Sequence, residues 1–338
     1  MNIDGTEYPN VWCAPGARNF DGKGWWYTLL FKILSLWHYN WGGAGFVTKT
    51  ATLEQRDGFM PLKSDGKSPR ELMPRCIKVY FFSGHVLNSV GLSGPGLRGV
   101  LAMLKADPPD GPFMLSIMCL SNEKLAELKT MLAMINEFKE TFTVPFTVQL
   151  NLACPNTGED LTEFYELLDD ILDLASAMDT KLFLNFNPLV PVDVLVEADK
   201  HPACAGFWIG NTIPWGFNGI NWLHFSSPKR WILKKSPDSP LPRRLKWKQE
   251  SGVPRPVGGL SGPVCRNFTL STIEQARSAG VKKPIIGGNG FQLRWHLDRL
   301  WEAQANGVAL GIVAMIRPWR LRGLISHARY IWPLEAED

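Results

Sequence analysis

Residues 113–150 read FMLSIMCLSNEKLAELKTMLAMINEFKETFTVPFTVQL, and the fold follows from this stretch. Phe113-Met114-Leu115-Ser116-Ile117 is a short apolar run of strand length. Asn122 to Thr141 then changes period. Leu125, Leu128, Leu132, Ile135 and Phe138 fall on one helical face, and Ser121 is placed to cap the start. Phe146-Thr147-Val148-Gln149-Leu150 returns to strand character. A strand, a single amphipathic helix and a second strand make a βαβ unit, whose strands run parallel.

The same alternation continues on both sides. Gly45–Thr48, Val79–Phe82, Leu182–Leu184, Gly206–Ile209, Pro284–Ile286 and Ala309–Ile312 bring the strands to eight, and Leu161–Met178 predicts another helix. Eight alternating units favour a closed (β/α)8 barrel over an open sheet, so the class is α/β and residues 1–338 form one domain. Joints rich in Gly and Pro follow most strands. In such a barrel they form the C-terminal face, where chemistry sits. Pro214–Pro256 is long and irregular, which predicts a lid or an insertion.

Composition narrows the function. The chain has 338 residues, 45% hydrophobic and 20% charged, enough for a large core. Net charge is only +4, so no nucleic-acid face is expected. The one dense basic run, from Lys229 to Lys248, lies among prolines and reads as a solvated loop or an anion or partner patch. Six scattered cysteines include no CxxC pair, and His201 with Cys204 lacks a second ligand pair, so no metal is expected. Scattered cysteines and an opening without a signal peptide predict a cytoplasmic chain. Trp25–Trp37 is too short to span a bilayer. Trp26, Leu29, Leu30 and Ile33 fall at helical spacing, as an ordinary barrel helix or a membrane-surface helix would have them.

The chemistry concentrates in Gln149–Gly158, just after the second quoted strand. Asn151 and Asn156 bring amide donors and acceptors to one strand end, which suits a planar ligand with alternating C=O and N–H groups. Cys154 between them reads as a nucleophile, an acid/base group or a buried spacer. With Pro155 and Asn156 it resembles the active-site loop of class 1 dihydroorotate dehydrogenases. Other segments resemble that family in order. Gly43–Thr52 resembles its first-strand motif. Leu87-Asn88-Ser89-Val90-Gly91-Leu92 resembles its Asn-Ser-x-Gly-Leu segment, and Gly210-Asn211-Thr212 a later strand end. Gly258-Gly259-Leu260-Ser261-Gly262, Gly287-Gly288-Asn289-Gly290 and Gly311-Ile312 resemble its phosphate-binding glycines, and Trp12–Ala17 its opening.

The resemblance implies FMN as cofactor and dihydroorotate, oxidised to orotate, as substrate. Cys154 would be the base that takes a proton from C5 while hydride leaves C6, and a thiol's ordinary pKa of about 8.5 can be tuned toward that task. Lys49 would face both flavin and substrate. Asn88, Gly91, Leu92, Asn151, Asn156, Asn211 and Thr212 would hold the substrate. Ala14, Gly16, Lys49, Asn151, Asn185, Gly258, Gly259, Gly287, Gly288, Asn289, Gly290, Gly311 and Ile312 would hold the cofactor. The electron acceptor would be fumarate or a separate electron-transfer subunit, and a homodimer is compatible. One departure stands out. The family presents a lysine toward flavin N1 and O2 on the strand read here as Leu182–Phe186, and this chain has Asn185. That leaves open a dihydrouracil-type dehydrogenase, or a barrel that binds FMN or a pyrimidine without catalysis.

Overall fold

The structure is a computed structural model that describes residues 1–3, 5–34, 38–153, 161–215, 217 and 258–333. A short hairpin opens the chain, β1 (Asn2–Ile3) with β2 (Thr6–Glu7). The barrel strands are β3 (Val11–Cys13), β4 (Phe46–Val47), β7 (Phe113–Ile117), β8 (Phe146–Asn151), β9 (Leu182–Phe186), β10 (Cys204–Ile209), β13 (Ile285–Gly287) and β14 (Gly307–Leu310). They form one parallel sheet in the order β3-β14-β13-β10-β9-β8-β7-β4. A parallel bridge between Trp12 and Gly45 joins its two ends, with Cys13 N–H donating to the Gly45 carbonyl at 2.9 Å, and closes the ring. The expected (β/α)8 barrel is the observed fold.

Helices between the barrel strands cover the ring by burying one apolar stripe against it. Lys124–Lys139 turns Leu128, Met131, Leu132 and Ile135 inward. It starts two residues later than its pattern predicts. Ser121 accepts from Glu123 N–H, and the Glu127 carboxylate reaches back to the Leu120 and Ser121 N–H groups. Leu161–Met178 is split into Leu161–Glu166 and Leu168–Ala177. Trp12 and Trp208 meet edge to face with ring centroids 6.4 Å apart, and Tyr8 stacks on Trp12 at 6.1 Å.

Two expectations are corrected. Val79–Phe82 is not a barrel strand. β5 (Ile77–Tyr80) pairs with β6 (His85–Asn88) in a separate antiparallel sheet, which β12 (Gly259–Ser261) and β11 (Ile213–Pro214) complete in the order β11-β12-β6-β5. Lys78 and Val79 are exposed there, whereas barrel strands such as β7 and β10 are buried along their whole length. The barrel strand missing from the sequence reading is β3, three residues long and too short to show a period. The helix Tyr27–Leu34 also departs from an ordinary barrel helix. Of its residues only Thr28 is buried, and Leu29, Leu30, Ile33 and Leu34 are exposed, as is Trp26 just before it. The extra sheet has its own small core of Leu87, Ile213, Trp215, Leu260 and Cys265. Its pairing of Ile213 with Leu260 brings together the two ends of the long Pro214–Pro256 segment, most of which lies outside the described residues.

Candidate active site

A cavity of about 700 Å³ lies where the barrel strands end, roofed by the antiparallel sheet. That volume is within the range usual for cofactor and substrate sites. β3 leads into Ala14 and Gly16, β4 into Lys49 and Thr50, and β6 into Asn88, Gly91 and Leu92. β8 ends on Asn151, β9 carries Asn185, and β10 carries Trp208 and leads into Gly210, Asn211 and Thr212. Beyond β13 come Asn289 and Gly290, and beyond β14 Gly311 and Ile312. All of these line the cavity. Gly258, Gly259, Gly287 and Gly288 do not. Gly259 belongs to β12, and a Cβ on Gly287 would press on Leu300 and Ile273 behind the ring. Gly288 packs against Gly210, with only 2.6 Å between a Cβ on Gly210 and the Gly288 Cα, so β10 and β13 can approach closely here. Cys154 and Asn156 lie outside the described residues.

The lining side chains form a chain of hydrogen bonds across the strand ends. Thr50 Oγ1 meets Ser116 Oγ at 2.9 Å and accepts from Asn151 Nδ2 at 3.2 Å. Asn211 Nδ2 donates to Asn151 Oδ1 at 2.8 Å. Asn289 Nδ2 donates to the Asn211 carbonyl at 2.9 Å, while its Oδ1 accepts from Gly262 N–H at 3.0 Å. Five strand ends are thereby tied together by short polar side chains, each oriented by its neighbour. The sequence reading missed Thr50, Ser116 and the bridging role of Asn289. The alternation of Thr48 and Thr50 around Lys49 carries the only signal for them.

Charge is sparse. Lys49 is 8% exposed. Its ammonium donates to the Ser93 carbonyl and lies 4.7 Å from the centre of the Phe20 ring, so it is a fixed cation at the cavity wall. Asn185, 2% exposed, donates to Gln149 Oε1 at 3.4 Å, and its Oδ1 has no hydrogen-bond partner. The described cysteines are poor candidates for proton transfer. Burial pushes the thiols of Cys13 and Cys76 up to about 11 and those of Cys119, Cys204 and Cys265 up to about 12. Among the described residues no helix is long and apolar enough to cross a membrane.

No protein-family profile matches the chain. It is similar to the catalytic subunit of dihydroorotate dehydrogenase B (NAD(+)) of Endomicrobium trichonymphae, with 23% identity over 83% of this chain and 78% of that one. It is also similar to dihydroorotate dehydrogenase A (fumarate) of Limosilactobacillus reuteri, with 24% identity over 77% of each. Among solved structures it resembles the Eimeria tenella DHODH in complex with ferulenol, with a TM-score of 0.65 and 16% identity over 98% of this chain and 83% of that one. Low in identity, these matches are spread over most of both sequences, and the relatives found are dihydroorotate dehydrogenases.

Proposed function

We propose that this chain is an FMN-dependent oxidoreductase that converts dihydroorotate to orotate. The observation that carries the reading is convergence: Lys49, Asn88, Asn151 and Asn211, remote in sequence and borne on different elements, line one cavity. The cavity also fits a flavin. Its polar floor holds an unpartnered buried acceptor at Asn185, and its far end is walled by Gly290, Gly311 and Ile312, where backbone faces the space. Ala14, Gly16, Lys49, Asn151, Asn185, Asn289, Gly290, Gly311 and Ile312 would hold FMN. When bound, FMN supplies a two-electron acceptor.

The chain's own residues do the rest. The Lys49 ammonium neutralises a substrate carboxylate, because a buried cation beside a carboxylate makes a strong charge-assisted bond. Asn88, Asn151 and Asn211 offer amides to the C=O and N–H edge of a planar ring. Cys154, three residues beyond Asn151 in sequence, takes the C5 proton as hydride leaves C6. The acceptor that reoxidises the site is fumarate or a separate electron-transfer subunit.

The test is anaerobic mixing of the purified yellow protein with dihydroorotate, dihydrouracil and dihydrothymine in parallel. Bleaching by dihydroorotate first and fastest is the expected result. Bleaching by dihydrouracil alone would move the substrate to a dihydropyrimidine without a carboxylate. A second reading, a barrel that binds FMN without efficient turnover, is favoured by the uncharged Asn185, and a yellow protein bleached by none of the three would select it.

A further inference from the structure

Asn185 lines the cavity from β9. Its register partners on the adjacent strands are Asn151 on β8 and Trp208 on β10, and all three line the cavity. Gln149, itself fully buried, accepts from Asn185 Nδ2 at 3.4 Å, and Asn185 Oδ1 and Gln149 Nε2 are left without partners. A buried amide oxygen with no donor is unfavourable, and a ligand N–H placed against it removes the penalty. Among the described residues, no cation of the cavity lining is held against it. The cationic side chains among the described lining residues are Lys49, Arg75 and Lys78. Lys49 is held at the Ser93 carbonyl, and Arg75 and Lys78 are exposed residues of the roof. The floor is therefore a neutral acceptor.

We infer that Asn185 sets the protonation state of the reduced flavin: its Oδ1 accepts from ring N1–H, so this site holds the neutral, N1-protonated form rather than the N1 anion. The inference rests on the flavin reading above and on the resemblance to a family that presents a lysine to flavin N1 and O2 where this chain has Asn185. Two-electron reduction delivers hydride to N5. N1 then either remains an anion, which a lysine would favour, or takes a second proton from solvent, which an acceptor favours. The oxidised ring has no N1–H, so Asn185 Oδ1 gains its donor only on reduction.

The test is a redox titration of the FMN-loaded protein from neutral to alkaline pH, above the point where free reduced flavin loses its N1 proton. Uptake of two protons per two electrons makes the reduction equilibrium fall hundredfold per pH unit, and uptake of one makes it fall tenfold, or roughly 59 against roughly 30 mV for a two-electron couple. The expected slope is hundredfold. Asn185→Lys is expected to convert it to tenfold and to raise the potential at the alkaline end. If that variant does not fold, the wild-type slope decides alone. A tenfold slope in the wild type, or a lysine variant with an unchanged slope and potential, overturns this inference and leaves the flavin reading standing. A protein that takes up no FMN overturns both.

Discussion

The two ends of the cavity are built differently. At the end formed by β4, β8, β9 and β10, side chains meet the ligand space: Lys49, Thr50, Asn151, Asn185 and Asn211. At the end formed beyond β13 and β14, backbone does, at Gly290, Gly311 and Ile312. Gly290 has φ +105°, a conformation that L side chains rarely adopt, and a Cβ there would meet the Gly262 carbonyl. Side chains can be exchanged one at a time without moving the strands that carry them. Backbone held this closely cannot. Specificity is accordingly free to change at the first end, and the chain's departure from the lysine pattern, Asn185, falls there.

The contrast can be broken most decisively at Cys154. Cys154→Ala is expected to slow anaerobic flavin reduction by dihydroorotate by roughly 10²–10⁴-fold while FMN still copurifies, the size usual for loss of a general base. Fast reduction by that variant would remove the proton-transfer role from Cys154. Gly290→Ala probes the other end. Its left-handed φ and the Gly262 carbonyl predict a stability loss of about 1–3 kcal/mol and lower FMN content, read by thermal melting and by absorbance after gel filtration. A fully loaded variant of wild-type stability would show that backbone closeness is not what limits that end.

Asn211→Ala sharpens the comparison on a smaller scale. It deletes the 2.8 Å bond to Asn151 Oδ1 but leaves the fold, so KM should rise about tenfold with little change in melting temperature, in keeping with about 1.5 kcal/mol for one hydrogen bond. A collapse in stability instead would make the asparagine chain structural.

The smallest effect concerns His296, behind the backbone end, where its Nδ1 accepts from Gln292 N–H at 3.0 Å. Burial, then the charges of Arg266 and Arg320, lower its pKa from 6.5 to about 4. Between those values the unfolded chain binds a proton that the native one does not, so stability rises with pH across this window and is lost as pH falls through it. His296→Gln should flatten the climb in melting temperature over that range. An unaltered slope would assign it to other groups.

Much of the barrel was legible because its strands are buried on both faces and read as continuous apolar runs, as Phe113–Ile117 and Gly206–Ile209 do. Val79–Phe82 has the same apolar look, yet its strand lies in a roof with one open face, and composition alone does not separate the two. Val11–Cys13 escaped because its place depends on neighbours at both ends of the chain rather than on a local pattern. Glycines legible as a phosphate motif divided in space: Gly290 and Gly311 face the cavity, while Gly287 and Gly288 serve packing. The free Oδ1 of Asn185 could not be read from the sequence at all, since it depends on how the amide stands against Gln149.

The position of β3 has a consequence for how the molecule is made. Val11 pairs with Val308 on one side, and Trp12 bridges to Gly45 on the other. The first barrel strand to leave the ribosome thus waits for the last before the circle is complete. Pairings so distant in sequence are slow to form, because a long loop must close before any contact rewards it. Until β14 emerges, the nascent half-ring exposes an unpaired strand edge. A truncation before Gly307 should therefore leave an aggregation-prone chain rather than a smaller barrel.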